Sequence, residues 1–422
     1  MACLLFMIGC RQDSDKHCIA SGASMIRINI DNMDYQSVLQ YSDVFEQVSF
    51  VKLETLENSV IGRIDKIVAT EDKFVILDAS MAKTVLVFDH NGKFLNRIGT
   101  NGNGPQEYDS PSDIVYNKYE DELLVLCHNK KTILRFTLDG VFVGQIMFEW
   151  WVNSIFVTGE DSYLLYFNNY IQPNQKKNDY NIAIINKEGA VVNNFLPFEE
   201  ETGELSPPKP IFSFYNDEVI FAPYYATAIY TLANQTLTPK YYLNFGKKAI
   251  PEAIIKGKSN RELRQVSIDN DYAFNLASFE TATHVVCQFS YKGLIFDCFY
   301  AKESKKTKIS MAYINDMYGV IAERSFFHLK GNSLITSVEP QSFVVLKELT
   351  RKMQSGQEVN DAMMSQIRTA ASSKLIDNRL KNNFLNAYKS NKITLSAKEL
   401  DFINSIHEED NPLLMIVTPK VF

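Results

Sequence analysis

At 422 residues, of which 45% are hydrophobic, the chain can bury a large core, and nothing in its composition marks it as disordered. Aromatic residues reach 12%, including 28 Phe and 21 Tyr, which suits pleated, half-buried surfaces and favours β structure. The net charge of −7 is spread without a basic stripe, which argues against a nucleic-acid partner, and no apolar run beyond the first residues is long enough for a transmembrane helix.

Residues Met1 to Cys10 read MACLLFMIGC, an apolar run that ends in a small residue and a cysteine. Met7-Ile8-Gly9-Cys10 resembles the lipobox of a bacterial lipoprotein signal peptide, in which a small residue admits the processing enzyme and the cysteine thiol accepts the lipid. Met7 stands where Leu is usual, and the positively charged leader that normally precedes the apolar run is missing. Asp13-Ser14-Asp15 is similar to the acidic surface-export tag of Bacteroidota lipoproteins. The resemblance implies lipidation at Cys10, contact with a membrane through that anchor, and an outer-membrane location in the cell envelope, periplasmic or surface-exposed. Residues 1–10 are then a signal remnant, 11–44 an N-terminal tether and 45–422 the folded unit. Cys18, Cys127, Cys287 and Cys298 have neither zinc nor disulfide spacing, and Cys287 and Cys298 lie on β-like runs as small core residues.

Val48 to Leu53 is an apolar strand that precedes a series of repeats. The first repeat has strands at Ile64 to Ala69 and Phe74 to Leu77 around Glu71-Asp72, then a hairpin from Thr84 to Phe88 and Phe94 to Ile98 around Asn91-Gly92. The second has Asp113 to Tyr116 and Leu123 to Leu126, with its hairpin turning at Asp139-Gly140, and the third turns at Glu188-Gly189. Gly92, Gly140 and Gly189 recur at intervals of 48 and 49 residues, and four antiparallel strands in about 40–50 residues make one propeller blade. Less regular units follow: Ile211 through Val219–Phe221 to Ile229–Leu232, then Ala273 through His284–Phe289 to Leu294–Tyr300. A last unit spans Arg324–Leu329, Ser333–Ser337 and Phe343–Leu349. The expectation is an all-β, six-bladed β-propeller. A helical insertion occupies about residues 357–409, marked by the Ser396-Ala397-Lys398-Glu399 capping box and by Leu400, Ile403 and Ile406 on one face. Leu413 to Val417 and the strand at Val48 are expected to close the ring by pairing into the last blade.

Several of these segments together resemble a known family. Val51-Lys52-Leu53-Glu54-Thr55, Ile61-Gly62-Arg63-Ile64, Ile76-Leu77-Asp78, Val87-Phe88-Asp89 and the loop Gly99 to Tyr108, ending in Gly104-Pro105-Gln106-Glu107-Tyr108, are similar to the six-bladed β-propeller lipoproteins of Bacteroidota, relatives of the NHL-repeat propellers. Glu409-Asp410-Asn411-Pro412 is similar too. The resemblance implies the fold and an envelope location, and no agreed activity.

Catalytic motifs are not evident: there is no Gly-x-Ser-x-Gly elbow and no Cys–His signature. The loop from Gly99 to Tyr108 lacks the Lys-Ser/Thr of a phosphate loop and is expected to be a tight connection between blades. The six histidines include no metal-spaced pair. No cofactor is predicted, although a propeller can gather ligands at its axis, where Asp78 and Asp113 would allow a calcium ion. Inter-blade loops and loops joining second to third strands share one face, and Tyr108, Trp150, Trp151, Tyr170, Tyr224, Tyr225 and Tyr291 fall in or beside them. Flat rings with nearby amides suit a carbohydrate or an extended peptide. The sequence therefore points to a non-enzymatic envelope lipoprotein that binds a ligand, or an outer-membrane protein partner, through that face. The competing expectation is a metal-dependent hydrolase or lyase of lactonase type.

Overall fold

The alternation read in the repeats becomes a packing rule once the strands are in place. In the computed structural model, which describes residues 25–32, 38–168, 179–197, 210–314, 316–318, 328–355 and 395–422, the first repeat forms an antiparallel sheet. Its strands are Lys66–Ala69, Lys73–Asp78, Thr84–Asp89 and Phe94–Arg97. Side chains alternate across a strand. Ile67, Phe74, Ile76 and Leu86 therefore face the preceding blade, and Val68, Val75, Leu77, Val85 and Val87 face the following one. Burial on both faces is why Phe74-Val75-Ile76-Leu77 reads as an unbroken apolar run.

Five further blades repeat this plan. Blade 2 is Asp113–Asn117, Glu122–Cys127, Thr132–Thr137 and Phe142–Met147; blade 3 is Ser154–Gly159, Ser162–Tyr166, Tyr180–Ile185 and Val191–Pro197. Blade 4 is Phe212–Tyr215, Glu218–Phe221, Ala228–Ala233 and Thr236–Asn244; blade 5 is Ala273–Glu280, His284–Tyr291, Leu294–Ala301 and Thr307–Ser310. Blade 6 is made from both ends of the chain: His328–Lys330, Ser333–Val338, Leu413–Pro419 and, outermost, Phe45–Lys52. The first strands of blades 6, 1, 2 and 3 approach one another in turn around the axis, as do those of blades 4 and 5. A hydrophobic cluster lies between each pair of neighbouring blades, including blades 6 and 1.

Ring closure rests on more than the strand ladder. Leu413–Pro419 pairs antiparallel with Ser333–Val338 on one side and Phe45–Lys52 on the other, as expected from the apolar segments at the two ends. Just before it, the buried Asn411 side chain accepts from Ile61 N at 2.8 Å and donates to Glu54 O at 2.9 Å and Ser59 O at 2.8 Å. Asn411 N donates to Thr55 Oγ1 at 2.7 Å, and Lys52 pairs with Asp410 at 2.7 Å.

The glycines that set the repeat are held by their neighbours as well as by their turns. Gly92, Gly140 and Gly189 have φ of 87°, 89° and 79°. A Cβ on Gly92 would collide with the Lys52 carbonyl and one on Gly189 with the Met147 carbonyl, both at the outer-strand end of the preceding blade. Gly140 has more room, its nearest neighbour being the Arg97 carbonyl at 3.1 Å. Gly189→Ala is expected to lower stability by about 2–3 kcal/mol and Gly140→Ala by about 1 kcal/mol, since both strain φ but only the first would overlap a carbonyl outright, the second making a tight contact at 3.1 Å. Urea midpoints that came out equal would refute this ordering.

Two expectations need correction. Residues 11–44 are not merely a tether: Ile26–Asn29 adds a fifth, parallel strand to blade 4 along Tyr241–Asn244, and Val38–Gln40 pairs with Ala312–Ile314. Ile28 and Ile30 are buried in the core between blades 4 and 5, so the Ile26, Ile28, Ile30 alternation carried that signal. Phe343–Leu349 is not a strand, because residues Pro340–Gln354 form a helix. Pro340 fits the first helical position, and Phe343 and Leu346, three residues apart, both turn inward against Phe50, Phe402 and Ile403. The third strand of blade 6 is supplied instead by Leu413–Pro419. Of the insertion expected at 357–409, Ala397–Asn404 is a helix capped by Ser396 and Glu399 as read, and residues 356–394 lie outside the described set. The connection from blade 4 to blade 5 also carries two helices, Glu252–Ile255 and Asn260–Asp269, that the sequence reading had not separated out. Among the described residues no helix is long and apolar enough to cross a membrane.

Candidate functional site

The first strands of the blades leave a cavity of about 510 Å³ at the propeller axis. Its wall is built mainly from rings: Tyr116 of blade 2, Phe156 of blade 3, Phe212, Phe214 and Tyr215 of blade 4, and Phe279 of blade 5. Phe156 and Phe214 lie nearly parallel, with centroids 6.5 Å apart and planes at 26°, and Phe212 is 5.7 Å from Phe156. Val68, Ala69, Val115 and Val157 fill the spaces between the rings. Lys118, Tyr119, Asn216, Gly331 and Asn332 also line it, and all belong to turns between first and second strands. The cavity therefore lies toward the face opposite the inter-blade loops.

Two ionisable groups reach it from the inner strands. Lys66 is almost fully buried, with Nζ 2.8 Å from Asp113 Oδ1, and Asp113 Oδ2 accepts from Ile155 N at 3.0 Å. One ion pair thus ties the first strands of blades 1, 2 and 3 together. His328 stands close by, its pKa lowered to about 4 by burial of the ring and then by the Lys66 charge, against a hydrogen bond with the Ala69 backbone. At the rim, the Lys118 ammonium sits 4.0 Å from the centre of the Phe214 ring and 3.0 Å from Asp217 Oδ1. Tyr116 donates to Asp121 at 2.8 Å, and burial followed by that carboxylate pushes its hydroxyl up to about 12.

His284, buried in blade 5, is likewise lowered to about 4, by burial and then by Lys302 and Lys308. Both histidines take up a proton near 6.5 when unfolded but near 4 when folded, so the unfolded state binds more protons in between. Stability is expected to fall by about 3–5 kcal/mol as pH drops from about 6.5 to about 4, and to level off below. A His284→Gln/His328→Gln variant should flatten that slope; an unchanged slope would discard the assignment.

The rings expected to form a binding face do not line this cavity, and they fall into separate clusters. Tyr108 is fully buried between blades 1 and 2, its hydroxyl donating to Ile98 O at 2.9 Å, so it serves packing. Trp150 packs edge-on to Phe167 beside the core of blades 2 and 3, and Trp151 lies 5.4 Å from the His128 ring. Tyr224 and Tyr225 pack against each other and against Phe274, Tyr224 edge-on and Tyr225 tilted, near Ile250 and Leu263 of the blade 4 to blade 5 connection. Tyr291 is buried between blades 4 and 5. Tyr170 and Cys10 lie outside the described residues.

The other candidates are spent on structure. Asp78 Oδ2 accepts from Gly62 N and Arg63 N at 2.8 and 2.9 Å, and its Oδ1 from Met81 N and Ala82 N at 2.9 and 3.0 Å. Asp113 is committed to Lys66 and Ile155. Among the described residues no three His, Cys, Asp or Glu side chains converge as metal ligands would. The loop from Gly99 to Tyr108 turns its carbonyls inward: Lys130 Nζ donates to Gly102 O, Gly104 O and Glu107 O at 3.2, 3.1 and 2.7 Å. It is a connection held by an internal cation, the reverse of a phosphate cradle. Cys127, Cys287 and Cys298 are buried free thiols, the first two pushed up to about 12 by burial. Sequence reasoning missed Lys66, Lys118, His328 and the ring wall. The usable signal was the cluster Phe212-Ser213-Phe214-Tyr215 on the first strand of a blade, the strand that faces the axis.

Fold and site define a six-bladed β-propeller with an aromatic cavity on its axis. Comparison with known proteins agrees: the chain belongs to the family described as a domain of unknown function, DUF4934, which matches residues 25–368. No curated protein matches it. The solved structure of a protein described as exported, from Bacteroides fragilis, is similar with a TM-score of 0.70 at 17% identity, covering 94% of this chain and 100% of that one. A DUF4221 family member from Bacteroides vulgatus gives a TM-score of 0.49 at 11% identity over 89% of this chain and 97% of that one. Virginiamycin B lyase from Staphylococcus aureus gives 0.37 at 12% over 68% and 94%. At these identities the first likeness speaks to fold alone, and the other two are too distant to argue from.

Proposed function

We propose that this chain is a non-enzymatic binding protein of the cell envelope and that it takes a small ligand in the axial cavity. The cavity itself carries the reading. Rings from four blades surround about 510 Å³, within the range of about 300–1,000 Å³ typical of small-molecule sites. A wall richer in rings than in hydroxyls and amides suits an apolar ligand better than the carbohydrate or extended peptide suggested by the loop-face aromatics. Ala69→Phe, which adds a ring at the cavity wall, should abolish binding of two-ring aromatic compounds detected by ligand-observed NMR. Compounds that bind the blocked variant as well as the original would place the site elsewhere.

The envelope location rests on the resemblance of Met7-Ile8-Gly9-Cys10 to a lipobox. Cys10→Ala is expected to move the protein from the membrane fraction to the soluble fraction and to remove globomycin-sensitive processing. Retention of that variant in the membrane would end the anchor proposal.

A further inference from the structure

We infer that the ligand of the axial cavity is an organic anion with a flat apolar body, its acidic group directed at Lys66 and met at the mouth by Lys118. This rests on the axial cavity being the binding site and adds the charge and shape of what it takes. The first ground is the sign of the lining. The chain as a whole carries 50 Asp and Glu against 43 Lys and Arg, yet the described residues lining this cavity include Lys66, Lys118 and His328 and not one carboxylate.

The second ground is unused donor capacity at depth. An ammonium has three N–H donors. Lys66 Nζ has one partner among the described residues, Asp113 Oδ1, and its side chain is only 7% exposed. Asp113 shares its other oxygen with Ile155 N, so it cannot wrap the ammonium. A buried charge with donors left over is costly, and an acidic group entering the cavity would relieve that cost where water is scarce. The third ground is the wall: the near-parallel rings of Phe156 and Phe214, with Phe212 beside them, suit a planar body better than a branched one. Lys118, lying over Phe214 and 44% exposed, is placed to meet an anion on its way in. Burial first and the Lys66 charge second keep the His328 ring neutral; an anion beside it would offset the second, so binding should tighten as pH falls from about 6 toward about 4.

The test is calorimetric titration of the full chain with 2-naphthoate, its neutral amide, and 2-naphthylmethylammonium. Naphthoate should bind at least about tenfold more tightly than the amide, and the ammonium compound more weakly than either. Lys118→Gln should weaken naphthoate by about two- to fivefold, more than it weakens the amide, and reduce the salt dependence of naphthoate binding. Lys66→Met, where melting shows it folded, should erase the preference for acid over amide; where it does not fold, Lys118→Gln and the salt series decide. Equal binding of acid and amide, both lost in Ala69→Phe, would overturn the anion inference and keep the cavity as the site. Binding indifferent to Ala69→Phe, or no binding by any of the three compounds, would overturn the cavity reading as well.

Discussion

Asn411→Leu is expected to lower the stability of the propeller by about 2–4 kcal/mol, because it leaves buried Ile61 N–H and Ser59 O without their side-chain partner and Glu54 O with Ser59 Oγ alone. The Asn411 side chain satisfies Ile61 N–H, Glu54 O and Ser59 O, all more than 300 residues away in sequence, and leucine of similar volume can satisfy none of them. The groups belong to the stretch that leads from the outer strand of blade 6 into blade 1. Their loss therefore falls on the seam where the ring closes. Lys52→Met, which breaks the partly exposed pair with Asp410 and the exposed bond to Ser405 O, should cost about 1 kcal/mol. Equilibrium unfolding would separate the two, and hydrogen exchange would locate the effect. In Asn411→Leu the amides of Phe45–Lys52 should lose protection before those of blades 2 and 3. Uniform loss of protection across all blades would show that the seam is not the weak point.

The same seam shows how much of the fold is legible in the sequence. Blades 1 to 3 announced themselves because their turn glycines combine positive φ with close contact to the preceding blade, which holds them to nearly equal spacing. Blade 6 did not, because its third and fourth strands come from opposite ends of the chain. A window centred on Phe343 finds apolar residues but cannot tell whether they pack as a strand or as a helix whose partner, Phe402, lies near the far end of the insertion. The accessibility of the loop aromatics is hard to read from sequence for a related reason. Aromatic residues in loops look available in a linear reading, yet Tyr108 is buried in the core between blades 1 and 2 and Tyr225 against Phe274. The rings that line the axis sit on first strands whose sequences resemble any other half-buried strand. Pointing at the axis is a property of the closed ring and has no local signature.

The axial ion pair gives the sharpest test of what the centre of the ring is for. Lys66→Met should destabilise the protein by about 3–5 kcal/mol, because Asp113 would then be buried without its counter-ion. Its backbone bond from Ile155 N would remain, and the carboxyl would respond by holding a proton to higher pH. If the cost is the stranded charge and not lost packing, Lys66→Met/Asp113→Asn should recover most of it, since the amide oxygen can still accept from Ile155 N without carrying a charge. His328 supplies an independent reading at the same place. Burial is the first reason its pKa sits at about 4 and Lys66 the second, so Lys66→Met should raise the pKa only part of the way toward 6.5 in an NMR titration of the ring proton. Full return to 6.5 would mean that burial contributes nothing, and no movement that Lys66 does not act on the ring. A double variant as unstable as the single one would assign Lys66 a packing role instead. A pair that can be neutralised cheaply is not retained for stability alone, which is the physical reason to look for an anion at the Lys66 ammonium.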